Sequence, residues 1–372
     1  MGWLVYELSG SELDLGILGA ATAVPAILFT IIGGVIADRY EKRTILLITT
    51  LLNTLLLFAL AILVYFETVT VWHIWLIAAG ISLISGVDWP TRQTFFPHLI
   101  DREALLSAVA LNSVLWQSTR MILPAVGGVL IAVQGPTIVF VLAALGYLTM
   151  FVAIQRMDLH LPGHRGTSPW QQTKEGVRYI FEHQFFRDLI ILSYATMFFL
   201  SSYMQLMPAF AKMLDAGPEG FGLLMSATGL GSIIGTIISG AVNAGRRYGW
   251  IMLSGALTAV VFLSLFALAT TLPSYAFALL FALLAAIATS VFLILSTTAI
   301  QAEVPEDLRG RVMGIHGITY SLMPMGALFT GAFAGTYGSA GALGISLGVY
   351  ALLLGIIVLQ APKLRSLNAP AS

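Results

Sequence analysis

The sequence contains no cysteine, so disulfides, thiolate metal sites and cysteine nucleophiles are excluded together. Charge is nearly as scarce. Lys, Arg, Asp and Glu make up only 10% of the 372 residues, eighteen bases balance eighteen acids, and no basic block is present, which argues against nucleic acid or any other polyanionic partner. The six histidines are scattered without metal-ligand spacing, no Walker-type phosphate loop occurs, and no serine or acid constellation suggests catalysis. The chain reads as neither an ATPase nor any other enzyme, and it calls for no cofactor and no metal. Met1 is followed by neither a short basic stretch nor a small-residue cleavage site, unlike a signal peptide.

Apolar surface is what the sequence has in excess. With 58% hydrophobic residues and a mean hydropathy of +0.90, it carries more than a globular core of this length can bury, and a bilayer is the solvent that resolves the excess. A crossing needs about 20 mostly apolar residues, and eleven such runs are expected: 15 to 37, 44 to 66, 71 to 91, 105 to 133, 137 to 154, 189 to 211, 221 to 242, 250 to 269, 275 to 297, 312 to 333 and 340 to 359. The fold class expected is an all-α polytopic membrane protein. The stretch from Arg156 to Asp188 is polar. Within it, Ser168 and Pro169 read as a helix start, and Trp170, Val177, Ile180 and Phe181 share a face, so an amphipathic helix on the membrane surface is expected there.

Positive charge then sets the sides, because Lys and Arg in short loops are retained in the cytoplasm. Sixteen of the eighteen bases fall on alternate loops or helix ends, including Arg39, Lys42, Arg43, Arg92, Arg102, Arg246, Arg247, Arg309, Arg311, Lys363 and Arg365. Lys212 alone lies opposite, and Arg120 lies within a span. The C-terminus and the polar linker are thus expected in the cytoplasm of a plasma membrane, the bacterial inner membrane, with Met1 outside.

Three junctions recur. LGIL at Leu15 matches FGLL at Phe221, Lys42 and Arg43 match Arg246 and Arg247, and FPHLIDREALLSA at Phe96 matches VPEDLRGRVMG at Val304, at shifts of 206, 204 and 208 residues. Three matches in order at nearly one shift predict two parallel half-bundles. Residues 1–155 would form the first, 156–188 the linker, and 189–372 the second with a short tail. The same shift maps the span 189 to 211 back onto a helix of which Met1 to Val5 would be the end, with some seventeen residues before Met1. The expected count is eleven complete helices plus a remnant of the first.

The segment GGVIADRYEKR, with Gly34, Asp38, Arg39, Lys42 and Arg43, resembles the loop motif between the second and third helices of the major facilitator superfamily; Glu41 stands where that motif has its second glycine. VDWPTRQTFFPHL is similar to the fourth-helix ending of one branch, that of the enterobactin (siderophore) exporter and macrolide efflux proteins. RMILPAVGG resembles the helix-bend motif of superfamily antiporters, with Pro124, Gly127 and Gly128 in place and Leu123 where a glycine is expected. The resemblance spans essentially the whole chain. It implies a secondary active transporter with alternating access, exporting a small hydrophobic or siderophore-like molecule in exchange for protons. Its expected partners are a small-molecule substrate, the proton gradient and the lipid bilayer, with no nucleic acid, and its expected state is a monomer. A different class stays open, a transport-inactive truncated relative acting as a membrane sensor or assembly partner.

Several residues could carry mechanism. Asp38 with Arg39 and Arg43 lies at helix ends, where an ion-pair latch can be made in one access state and broken in the other; setting topology is the plainer reading. Asp88 and Arg92, four apart on one helix face, can neutralise each other, serve a gate, or in the case of Asp88 carry a proton. Arg120 is costly facing lipid, so a cavity or coupling role stands against a buried structural charge, with Asn112, Gln117 and Ser118 as polar neighbours. Gln205, Tyr203, His316 and Tyr320 are further polar groups inside spans that can contact a cavity. The pairs Gly231 with Gly235 and Gly331 with Gly335 suit close helix packing.

Overall fold

The computed structural model describes residues 1–99, 104–157, 169–242, 248–272, 274–365 and 367, and the expected basic pair Arg246 and Arg247 and the loop residue Arg102 lie outside them. A short helix α1 (Gly2–Ser9) ends at Gly10, whose φ of 62° is the left-handed conformation that closes a helix end. Ser11 then caps α2 (Glu12–Arg39) by accepting the Asp14 N–H. The chain continues through α3 (Lys42–Tyr65), α4 (Val71–Phe95), α5 (Leu105–Gln134) and α6 (Pro136–Arg156). The surface segment α7 (Pro169–Glu182) leads to α8 (Gln184–Ala195), α9 (Met207–Met213), α10 (Gly217–Gly240), α11 (Tyr248–Thr271) and α12 (Tyr275–Glu303). Then come α13 (Glu306–Gly317), α14 (Leu322–Gln360) and α15 (Pro362–Arg365).

Among the described residues ten helical segments are long and apolar enough to cross a membrane. The last of them, Leu308–Gln360, is 53 residues long, about 80 Å if straight, against a hydrocarbon core of about 30 Å. Gly338, at φ 69° and ψ 164°, breaks it, and the limbs on either side correspond to the expected spans 312 to 333 and 340 to 359. The segment expected over 189 to 211 is not one regular helix. After α8 it widens into a π-helical turn at Thr196–Leu200, then tightens into a 3-10 turn at Ser201–Met204. The π turn pushes the Phe198 carbonyl against Gly326 of α14, where even a methyl group has no room.

Helices α2, α3, α4 and α6 pack on one another with α5 against α6, as do α10, α11, α12 and α14 with α9 against α10. Two seams join these groups, α2 against α14 and α5 against α10. The largest fully buried side chains include Phe210, Phe266, Phe292 and Tyr350, all in the second group. One end of the assembly carries Glu7, Glu12, Asp14 and Lys212, and is here called the Glu12 end; the other, with Arg39, Arg43, Arg92 and Arg311, is the arginine-rich end. Helix α7 lies at the latter, held on α13 by Glu175 to Arg311 at 2.6 Å and by close approach of Gly176 to Arg311 and Ile315. Its docked stripe is Gly176 and Ile180; Val177 and Phe181 are exposed, leaving them free to face a membrane surface, and the Trp170 side chain lies outside the described residues.

Candidate functional site

At the arginine-rich end, Asp88 sits one turn before Arg92 on α4. Arg92 holds both carboxylate oxygens, through Nε to Oδ2 and through Nη2 to Oδ1 at 3.2 Å. Thr49 Oγ1 of α3 donates to Oδ1 at 2.6 Å, and Arg92 Nη1 reaches Met150 Sδ of α6 at 2.7 Å. Asp88 is 8% exposed and Arg92 half-buried, so this is a charge pair with a buried carboxylate satisfied by hydrogen bonds from α3 and α4, packed between α3, α4 and α6. Among the described residues, Asp88 bonds to neither Arg39 nor Arg43. Arg39 is exposed, whereas Arg43 donates to Ile154 O at 3.3 Å and Gln155 O at 2.9 Å. Those carbonyls close α6, where the helix dipole is negative. Gly34, Asp38 and Lys42 lie on α2 and the start of α3; the surroundings of the Gly34 and Asp38 side chains lie outside the described residues.

The capping by Arg43 has a measurable weight. Arg43→Ala should lower stability by about 1–2 kcal/mol, the range for charged hydrogen bonds to helix-end carbonyls. Arg43→Lys should recover only part of it, lacking the fork that spans two carbonyls. Thermal unfolding followed by tryptophan fluorescence reads both.

The seam between α5 and α10 is shaped by Pro124. Proline supplies no N–H to the Arg120 carbonyl one turn earlier, and that carbonyl lies against Gly229 of α10. The next amide, Ala125 N–H, donates across the seam to Ser226 Oγ at 3.0 Å. Gly128 faces Pro218 and Gly222 at backbone distance, while its neighbour Gly127 has open space, so only one of the two glycines serves close approach. Gln117 Nε2 reaches Thr236 Oγ1 at 3.5 Å. Arg120 is exposed and Asn112 half-buried.

The seam between α2 and α14 is tight at the Glu12 end. Glu12 Oε1 accepts from Ser339 Oγ at 2.9 Å and from Tyr6 OH at 3.4 Å, and the Tyr6 ring lies 5.4 Å below Lys212 Nζ. Gly331 faces the Glu12 carbonyl, Gly16 faces Ala327 and Leu328, and Gly19 faces Pro324. Continuing that stripe by one turn reaches Tyr320, in the 3-10 turn Ile318–Ser321 that precedes α14; its side chain is 59% exposed although the turn still approaches α2. Gly335 has open space, and Gly231 and Gly235 pack on α12.

In the second group the polar residues divide. Tyr203, expected at a cavity, is instead a core residue, with its ring 5.6 Å from Phe266. Gln205 is half-buried. His316 is 4% exposed, and its Nε2 lies 3.1 Å from Thr297 Oγ1. The Thr297 hydroxyl also lies 2.7 Å from Leu293 O. Among the described residues, the buried His316 Nδ1 has no hydrogen-bond partner. Sequence reading missed the hydroxyl pairs that tie these helices, Ser193 to Ser296 and Thr196 to Tyr350, each at 2.8 Å, and Ser202 to Thr330 to Ser346, each step at 3.1 Å. Their only signal is the Ser and Thr scattered along apolar runs. Among the described residues no group of three or more metal-ligating side chains forms.

Comparison with known proteins places this arrangement. A family model described as transmembrane secretion effector matches residues 1–372. The staphyloferrin A transporter of Staphylococcus aureus is 30% identical over 247 residues, 64% of this chain and 61% of that protein's own length. The enterobactin exporter EntS of Escherichia coli is 24% identical over 368 residues, covering 97% of this chain and 87% of its own. A bacterial homologue of the human lysosomal transporter Spinster, in an inward-facing and unoccupied conformation, shares the fold with a TM-score of 0.77 at 16% identity, covering 99% of this chain and 93% of its own.

Proposed function

The chain belongs to the transmembrane secretion effector family of the major facilitator superfamily, and on that premise we propose that it is a secondary active exporter, coupling outward movement of a siderophore-like or hydrophobic small molecule to inward proton flow. One observation carries the alternating-access reading: the α2 and α14 seam is closed backbone to backbone from Glu12 to Gly19, whereas the Tyr320 side chain, one turn past Pro324, is exposed. A transporter closed at one end and open at the other has this one-sided contact. With positive charge inside, the Glu12 end faces outward, the C-terminus is cytoplasmic, and this is the state open to the cytoplasm. Residues 1–155 and 189–372 are the two rocking halves.

Roles follow from position. Gly34, Asp38, Arg39, Lys42 and Arg43 form the cytoplasmic latch between α2 and α3, with the Asp88 and Arg92 pair bracing α4 behind it. Arg120 is the ionisable group in the passage. His316, buried with its Nδ1 unpartnered among the described residues, is the proton acceptor of the second half. Siderophore chemistry enters through the relatives, one named a staphyloferrin A transporter and one an enterobactin exporter.

Everted vesicles test this. An acid-inside gradient should drive uptake of enterobactin or staphyloferrin A, reported by recovery of a quenched acridine dye, and Arg120→Ala at unchanged protein level should lower the rate at least about tenfold, the cost of one lost charged contact. Uptake of neither probe above empty vesicles, or uptake indifferent to the gradient, would sink the proposal.

A further inference from the structure

We propose that Arg120, Trp116 and Trp89 form a recognition site for a planar aromatic anion. The proposal rests on the exporter reading above and names what the passage selects.

The helical wheel of α5 fixes the direction of these side chains. Gln117, Pro124, Ala125 and Gly128 make the stripe that meets α10. At 100° per residue, Arg120 and Trp116 fall on a second stripe beside it, on the side toward α4 and away from Leu111, Ile122 and Val129. On that side the Trp116 ring meets Trp89 of α4 edge to face, with centroids 5.4 Å apart and planes at 80°. Both rings stay half open, Trp116 at 50% and Trp89 at 49% exposure. An edge-to-face pair packed into a core would be covered on its outer faces; this pair leaves ring faces available for stacking.

Arg120 supplies the charge. It lies fifteen residues from Leu105 and fourteen from Gln134 along α5, about 21 Å or more from either helix end, beyond reach of interfacial groups. Among the described residues it has no carboxylate partner. Its contrast with Arg92 is instructive: Arg92 is neutralised by Asp88, and that pair faces α3 and α6, whereas the adjacent Trp89 faces α5. Among the described residues, Arg92 is thus engaged by a carboxylate, whereas Arg120 has its fork left for a ligand. A guanidinium with two open indole faces beside it selects a flat, delocalised anion: the fork binds the anionic oxygens and the indoles stack on the ring.

The test uses the full chain in lipid nanodiscs and three probes of similar size: 2-naphthoate, 2-naphthamide and decalin-2-carboxylate. Naphthoate should bind at least about tenfold tighter than either of the others, since each lacks one of the two features. Arg120→Gln should erase the preference over naphthamide, Arg120→Lys should keep part of it, and Trp116→Leu should erase the preference over decalin-2-carboxylate, with unfolding midpoints unchanged. Equal binding of naphthoate and naphthamide to the unaltered chain, no naphthoate binding at millimolar concentration, or an unchanged ratio in Arg120→Gln would overturn the assignment. Gradient-driven uptake that persists despite charge-blind binding would remove this site and leave the exporter standing; charge-selective binding without any gradient-driven uptake would do the reverse.

Discussion

Asp88→Ala is expected to cost about 3–5 kcal/mol, the range for breaking a buried ion pair by removing one partner. The carboxylate accepts from Arg92 and from Thr49, so its loss leaves the guanidinium without its counter-charge among α3, α4 and α6, while the Thr49 hydroxyl falls back on Leu46 O. Asp88→Asn should cost less, because an amide oxygen still accepts from Thr49. The decisive variant is the double replacement Asp88→Leu with Arg92→Met, which removes both charges and should return most of the stability. Unfolding is followed by tryptophan fluorescence, since a chain without cysteine offers nothing to thiol-reactive dyes. A single variant within about 1 kcal/mol of the unaltered chain, or a double variant worse than the single, would mean the pair is not the buried brace described here.

The same residues show how far the sequence could be read. The i, i+4 spacing of Asp88 and Arg92 announces a pair, and the pair forms; that Thr49 and Met150 complete it depends on how α3 and α6 pack, which no local pattern encodes. Arg43 was legible as a basic helix-end residue, but its partners Ile154 and Gln155 are more than a hundred positions away. Long apolar runs located the helices because a bilayer demands their length. They hid the π turn at Thr196–Leu200, since a stretch such as TMFFLSSYM is equally apolar in either winding. Glycines were visible as small residues, yet Gly331 contacts Glu12 while Gly335 faces open space, a distinction made by the partner helix alone.

Adding a methyl group to each seam at the Glu12 end should shift the balance between access states rather than unfold the protein. A Cβ at Gly19 would collide with the Pro324 carbonyl, and one at Gly222 would stand 2.5 Å from the Pro124 carbonyl. Backbone cannot retreat as a side-chain tip can, so the clash is relieved by parting the helices, which is the movement that opens this end. The state seen here is penalised while one with the Glu12 end open is not. A penalty of about 1–2 kcal/mol corresponds to a shift of roughly 5–30-fold in the ratio of the two states. The cysteine-free chain is its own background for reading it: Ser339→Cys places a lone thiol at a buried position that touches Glu12. Labelling of that thiol by a membrane-impermeant maleimide should quicken by the same factor in Gly19→Ala and Gly222→Ala. A control at Gly127, where a methyl group meets nothing within 4 Å, should leave the rate alone. If Gly19→Ala and Gly222→Ala lower the unfolding midpoint with no change in labelling, the seam is a fixed core contact, and one-end closure is not part of a cycle.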